Sequence, residues 1–298
     1  RDLLVTEGIE RWKPKEDRIP VSDGAGEIVK IGKSGGKFKV GDKVTTLIHP
    51  NWSNGTLTDD KIHGSLGGSS RDGVLSEYVV LPENALARFP DYLNYVEAAT
   101  LPVAALTAWN AVVEQSPLKL GATILITGTG GVSIFALQFA KLAGYKIIVT
   151  SSSDEKLKRA EELGAHYTIN YKTHPDWTEE VLKITQNIGA DQVIDVVGGN
   201  HLDDSLKCVK SEGVVSMIGL LFGTTGLLNT GTIMSKAAKI QGVETGSTEM
   251  YERMLTAMAI HQMRPVIDRV FPFTETAEAF SFLKNNKPMG KICIQLNH

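Results

Sequence analysis

Apolar and polar positions change their period twice along the chain. Up to about residue 93, short alternating runs are set off by turn residues. Glu27-Ile28-Val29-Lys30-Ile31 alternates between Gly26 and Gly32, residues 42–47 follow a turn at Gly41, and residues 75–81 are closed by Pro82. Each of these runs reads as a strand. Residues 49–73, rich in Gly, Ser, Asn and Asp, read as a long loop that carries Trp52 as an aromatic cover or an exposed anchor. From about residue 95 to 264, short apolar runs alternate instead with amphipathic stretches. The pattern predicts strands at 124–126, 146–150, 167–169, 192–197 and 214–218. It predicts helices at 132–143, 154–163 and 176–188, with Gly164 as a C-cap. The tail, 265–298, returns to mixed structure, with a helix at 274–283 that faces Ala277 and Phe280 or Leu283 inward, and a last strand at 291–296. Strand–helix alternation of this kind specifies an α/β fold, a doubly wound parallel sheet covered on both faces.

The first βα turn carries chemistry. Gly128-Thr129-Gly130-Gly131-Val132-Ser133 follows a strand and opens a helix. That context is what a dinucleotide-binding loop requires: a sharp turn at Gly128, close backbone approach at Gly130, and a small residue, here Ser133, where helix meets sheet. The free N–H groups and the helix dipole at this loop favour the phosphate charge. A Gly-rich structural turn is the alternative for the motif alone. NAD recognition asks for an acid at the tip of the second strand. Val149-Thr150 is followed there by Ser151-Ser152-Ser153, and the first acid, Asp154, suits the start of the next helix. Ser152, Ser153 and Lys156 can hold a 2′-phosphate by hydroxyl donors and a cationic charge. A Ser cap with a solvated Lys is the other reading. We expect NADP(H).

Composition narrows the classes. With 298 residues, 42% hydrophobic and 22% charged, the chain suits two globular domains. Lys and Arg total 31 against 34 Asp and Glu, a net charge of -3, which disfavours nucleic acid as a partner. No membrane span is expected, and Arg1-Asp2-Leu3-Leu4 lacks the layout of a signal peptide. Two distant cysteines, Cys208 and Cys293, point to a reducing, cytoplasmic setting without a disulfide framework. They also supply too few thiolates for a Cys-based zinc site, and the seven histidines form no H-x-x-x-H pair, so no protein-built metal site is expected.

Several further segments stand in a familiar order: Gly73-Val74-Leu75-Ser76-Glu77-Tyr78, Glu97-Ala98-Ala99-Thr100-Leu101-Pro102, Leu106-Thr107-Ala108-Trp109, Ile169-Asn170-Tyr171 and Asp195-Val196-Val197-Gly198-Gly199. With the Gly128 loop, Gly164-Ala165 and the terminal Gly290-Lys291, the chain resembles the medium-chain dehydrogenase/reductase superfamily, nearest to its zinc-free quinone oxidoreductase (zeta-crystallin-like) branch. The resemblance implies a Rossmann domain over 95–264 inserted into a GroES-like, partly open β-barrel domain formed by 1–94 and 265–298. The cofactor would lie in the cleft, and the protein would form a homodimer. It further implies Thr107, Gly198, Ile218, Leu220 and Phe222 along the nicotinamide end, Ser152, Lys156 and Tyr171 around the adenosine 2′-phosphate, and Lys291 approaching the cofactor from the last strand. Ser22-Asp23-Gly24-Ala25-Gly26 stands where the zinc alcohol dehydrogenases carry Gly-His-Glu, and their Cys-rich zinc loop has no counterpart. The resemblance also places Arg1 inside the family fold, after strands that include a cleft-lining Asn, and so implies open sheet edges and reduced stability.

The expected reaction is hydride transfer from NADPH to a small quinone or activated C=C or carbonyl acceptor, with cofactor chemistry oriented by the protein. By residue type, Tyr78 and His49 are candidate proton donors, and both also read as structural residues. Zinc-free alcohol oxidation, enoyl-thioester reduction, and a cofactor-binding structural or regulatory protein without turnover are the rival readings.

Overall fold

The computed structural model describes residues 1–9, 13–14, 18–32, 36–116 and 118–296. They form two compact units, Arg1–Leu106 with Thr245–His298, and Thr107–Glu244. In the first unit β1 (Ala25–Glu27), β2 (Lys43–Thr46) and β3 (Leu86–Arg88) form an antiparallel sheet in that order. Pairing of β1 continues past its end, since the Ile28 and Asp42 backbones and the Gly41 and Ile28 backbones remain bonded.

The second unit holds β4 (Thr123–Thr127), β5 (Lys146–Ser151), β6 (Tyr167–Asn170), β7 (Ala190–Asp195), β8 (Val209–Met217) and β9 (Lys239–Gly242). They pair in parallel in the order β6-β5-β4-β7-β8-β9. This is the Rossmann order, which reverses direction at β4 and binds ligands beyond the carboxyl ends of its strands. Both faces are apolar, as the near-continuous hydrophobic strands require. On one face Leu125, Ile148, Ile169, Val193 and Val215 pack with Trp177, Val181, Leu202 and Leu206 from the helices. On the other, Ile124, Ile126, Ile147, Val149 and Ile194 are buried. Burying each such side chain contributes about 1.5–3 kcal/mol.

Local signals act where they were read. The Asp154–Leu163 helix is capped by Ser153, whose hydroxyl accepts from the Lys156 N–H, and it ends at Gly164 with φ 119°. The next helix, Trp177–Ile184, stops before residue 188 because Gln186 and Asn187 turn left-handed, at φ 55° and 63°. Back in the first unit, β10 (Ile267–Pro272) and β11 (Lys291–Gln295) form a parallel pair beside the Thr276–Asn286 helix.

Two expectations are corrected, and the two units divide the chain at other points than 94/95 and 264/265. Residues 75–81 form no strand: Gly73, Val74 and Leu75 donate to the carbonyls of Ile19, Val21 and Pro20, and the alternating residues that follow gain no ladder partner among the described residues. In the 276–286 helix the buried residue is Ala279, not Ala277, and Phe282 packs on Phe271 with ring centroids 5.5 Å apart. Residues 95–106 and 245–264 join the first unit. Tyr251 there bonds Thr45 at 2.8 Å, and the Tyr92 hydroxyl donates to the carbonyls of Met258 and Met263. Finally, the helical stretch Tyr95–Glu114 is long and apolar enough to cross a membrane, but 72% of its apolar window is buried inside the protein, as in a core helix.

Candidate cofactor site

At the carboxyl end of β4 the chain turns through Gly128, at φ 74°, into the Gly131–Leu142 helix. Gly130 is the N-cap of that helix and makes no side-chain cap bond, and a Cβ built on it meets nothing within 4 Å. The helix start at Gly130 therefore has free space beside it and no side-chain cap on its first-turn N–H groups, which fits a pyrophosphate. Ser133 is buried where a smaller residue is usual, and its hydroxyl is satisfied by donating to the Thr127 carbonyl at 2.8 Å. The Thr127 hydroxyl joins the ends of β4 and β7, donating to Ile194 O at 3.0 Å and accepting from the Val196 N–H at 3.2 Å.

At the tip of β5, Ser151 is buried and Ser152 is half-buried. Tyr171 is exposed, and its N–H is bonded to the Ser151 carbonyl at 3.1 Å, so the two turns are held side by side. Asp154 accepts from the Asn170 side chain at 2.7 Å, which directs this carboxylate to the neighbouring turn. Lys156 is half-buried on the first turn of the Asp154–Leu163 helix.

The ends of β7 and β8 meet through glycines. Gly198 and Gly199 are left-handed, at φ 69° and 56°, and a Cβ on Gly219 would overlap the Val196 carbonyl. Ile218 and Leu220 are half-buried, whereas Phe222 is 70% exposed. Thr107 is buried in its helix. In the sequence Asp195 stands out only as part of the Asp195-Val196-Val197-Gly198-Gly199 motif. Here it is fully buried and accepts from the N–H groups of Val197 and Gly198, from the Ser205 hydroxyl, and from His201. Burial opposes its ionisation, but the His201 and backbone N–H bonds outweigh that and hold the carboxyl below its usual range. An acid ending an apolar strand just before Gly-Gly was the available signal.

The remaining candidates lie in the first unit. His49 is buried beside Trp52, ring centroids 6.2 Å apart. Trp52 is buried rather than an exposed anchor: its indole donates to Gly55 O at 2.9 Å, and its carbonyl accepts from the Thr248 N–H at the start of the Thr248–Ile260 helix. Tyr78 is exposed on the segment that forms no strand. Lys291 lies 3.1 Å from Asp23, with side chains 21% and 8% exposed. Burial pushes the Asp23 carboxyl up; it also opposes the Lys291 charge, but Asp23 and Asp2 outweigh it and raise the ammonium above its ordinary value.

The chain matches the zinc-binding dehydrogenase family over residues 131–259 and the alcohol dehydrogenase GroES-like domain over residues 1–91. It is 42% identical to a zinc-type alcohol dehydrogenase-like protein of Schizosaccharomyces pombe, over 100% of this chain and 87% of that one. The chain belongs to the medium-chain dehydrogenase/reductase superfamily. It is 31% identical to a quinone oxidoreductase of Pseudomonas aeruginosa, over 90% of this chain and 79% of that one. A solved NAD-dependent alcohol dehydrogenase superposes with TM-score 0.89 at 32% identity, over 99% of this chain and 88% of that one. This member is thus an oxidoreductase of the alcohol dehydrogenase/quinone oxidoreductase type, with a Rossmann unit and a GroES-like domain. Among the described residues no group of three or more His, Cys, Asp or Glu side chains is placed to hold a metal. Burial pushes the Cys208 and Cys293 thiols up to about 12 and about 11, and Asp23 is engaged by Lys291.

Proposed function

We propose that this member is an NADPH-dependent reductase that transfers hydride to a quinone or an electron-poor C=C or carbonyl acceptor without zinc. The open, uncapped helix start at Gly130 carries the reading, because it leaves room and N–H donors for a pyrophosphate. Bound NADPH supplies the hydride. Gly128, Gly130, Gly131 and Val132 cradle the phosphates. Thr107, Gly198, Ile218, Leu220 and Phe222 border the nicotinamide. Ser152, Lys156 and Tyr171 receive the 2′-phosphate at a β5 tip where Asp154 is tied to Asn170. The buried free cysteines suit a reducing compartment.

Calorimetry with NADPH and NADH tests the cofactor choice. NADPH is expected to bind more tightly, and Lys156→Ala to erase about tenfold of that preference. A preference for NADH, as in the NAD-dependent relative, would reject the assignment and leave the fold standing. Alcohol-dependent reduction of NADP⁺ that rises with added zinc would overturn the zinc-free reading.

We further propose a homodimer formed along β9, an edge strand preceded in the chain by the exposed apolar residues Leu227 and Met234, the latter 80% exposed. Light scattering is expected to give twice the chain mass, and Met234→Glu to shift it towards one chain. A wild-type monomer would end this proposal.

A further inference from the structure

The carboxyl end of β7 holds a buried charge that hydride transfer does not itself use. Asp195 Oδ1 accepts the N–H groups of Val197 at 2.8 Å and Gly198 at 2.9 Å. Its Oδ2 accepts the Ser205 hydroxyl at 2.8 Å and His201 Nδ1 at 3.2 Å. The Asp195 carbonyl in turn accepts from Ile218 at 2.8 Å and Gly219 at 3.2 Å. One residue therefore ties together the turn after β7, the His201–Cys208 helix and the continuation of β8.

The same contacts reach Phe222. Its N–H donates to Val197 O at 3.0 Å, and a Cβ on Gly199 would lie 2.5 Å from the Phe222 carbonyl, so the two turns are in backbone contact. His201 stacks on the buried Trp177, ring centroids 5.2 Å apart and planes at 10°, and meets the Phe222 ring edge-on at 6.5 Å. An exposed aromatic ring is thus held on one side by an imidazole whose own orientation is fixed by Trp177 and Asp195. Fixing a ligand-facing edge in advance removes the ordering cost from the binding step.

We infer that Asp195 and His201 are positioning residues for the nicotinamide half of the cofactor: they set the 196–199 turn, and through it the 218–223 segment. The inference rests on the cofactor reading proposed above. The adenosine half of the site, at the tip of β5, shares none of these bonds.

The test compares two ligands by calorimetry: NADPH, which spans both halves, and 2′,5′-ADP, which carries the adenosine half alone. Asp195→Asn is expected to weaken NADPH about tenfold while leaving 2′,5′-ADP within about twofold. His201→Phe, which keeps a ring over Trp177 and removes the donor, shifts the ratio in the same direction by about threefold and carries the test alone if Asp195→Asn does not fold. Equal losses for both ligands, or none for either, overturn the inference. A wild-type protein that binds no nicotinamide nucleotide overturns the cofactor reading and this inference with it. One that takes NADH instead is tested with ADP as the adenosine probe.

Discussion

Replacing Gly130 with Asp is expected to abolish cofactor binding while leaving the fold as stable as before. Gly130 has φ -76° and ψ -172°, an extended conformation that any residue adopts, and its Cβ position is empty. It caps the Gly131–Leu142 helix without a side-chain bond. An Asp carboxylate there accepts a first-turn N–H and lies favourably to the helix dipole, a gain of a few tenths of a kcal/mol over Gly, or about 1 °C in Tm. In the proposed site the pyrophosphate needs the same N–H groups and the same space. A carboxylate about 4 Å from a phosphate costs about 4 kcal/mol at an effective dielectric near 20, so NADPH affinity is expected to fall by on the order of 10³-fold. A thermal melt beside a calorimetric titration separates the two effects. A Gly130→Asp protein that melts normally and still binds NADPH would show that this loop does not hold the phosphates.

That separation follows from which parts of the molecule were legible in the sequence. The parallel sheet was, because its central strands carry short apolar runs such as Ile124-Leu125-Ile126 and Ile147-Ile148-Val149, and the Asp154–Leu163 helix carries its own stops: Ser153 and Gly164 act on neighbouring backbone and need no distant partner. The phosphate loop was legible for the same reason. The 75–81 segment misled because alternation describes a surface that can pair, and pairing depends on a second strand that no local pattern specifies. Trp52 misled because a Gly- and Ser-rich loop looked solvated, whereas its carbonyls satisfy the start of the Thr248–Ile260 helix, remote in sequence. Asp195 was seen and not understood: its value lies in four donors that converge only after β7, the following turn and the His201–Cys208 helix have assembled. The boundary at Leu106 and Thr107 is similarly hidden, since Tyr95–Glu114 runs through it as one helical stretch.

Lys291 poses the sharpest question left by the resemblance, and Lys291→Met is expected to cost about 3 kcal/mol of stability. The ammonium is the ion-pair partner of Asp23, whose side chain is only 8% exposed, and removing it leaves a carboxylate in a site that burial already makes unfavourable for charge. The figure is taken at the low end for broken buried pairs because Lys291 itself is 21% exposed. Adding Asp23→Asn removes the stranded charge, so the Asp23→Asn/Lys291→Met double variant is expected to recover most of the loss in urea unfolding, which measures the coupling directly. The repaired protein then reports on function. If Lys291 serves only to neutralise Asp23, the double variant binds NADPH as the wild type does. If Lys291 also approaches the cofactor, as the family resemblance implies, and bonds one of its polar groups there, the double variant is stable and yet binds NADPH about tenfold more weakly, because a charge-assisted bond has been lost from the bound state alone. Full stability of Lys291→Met would refute the premise, since it would mean that Asp23 reaches water or takes up a proton without penalty.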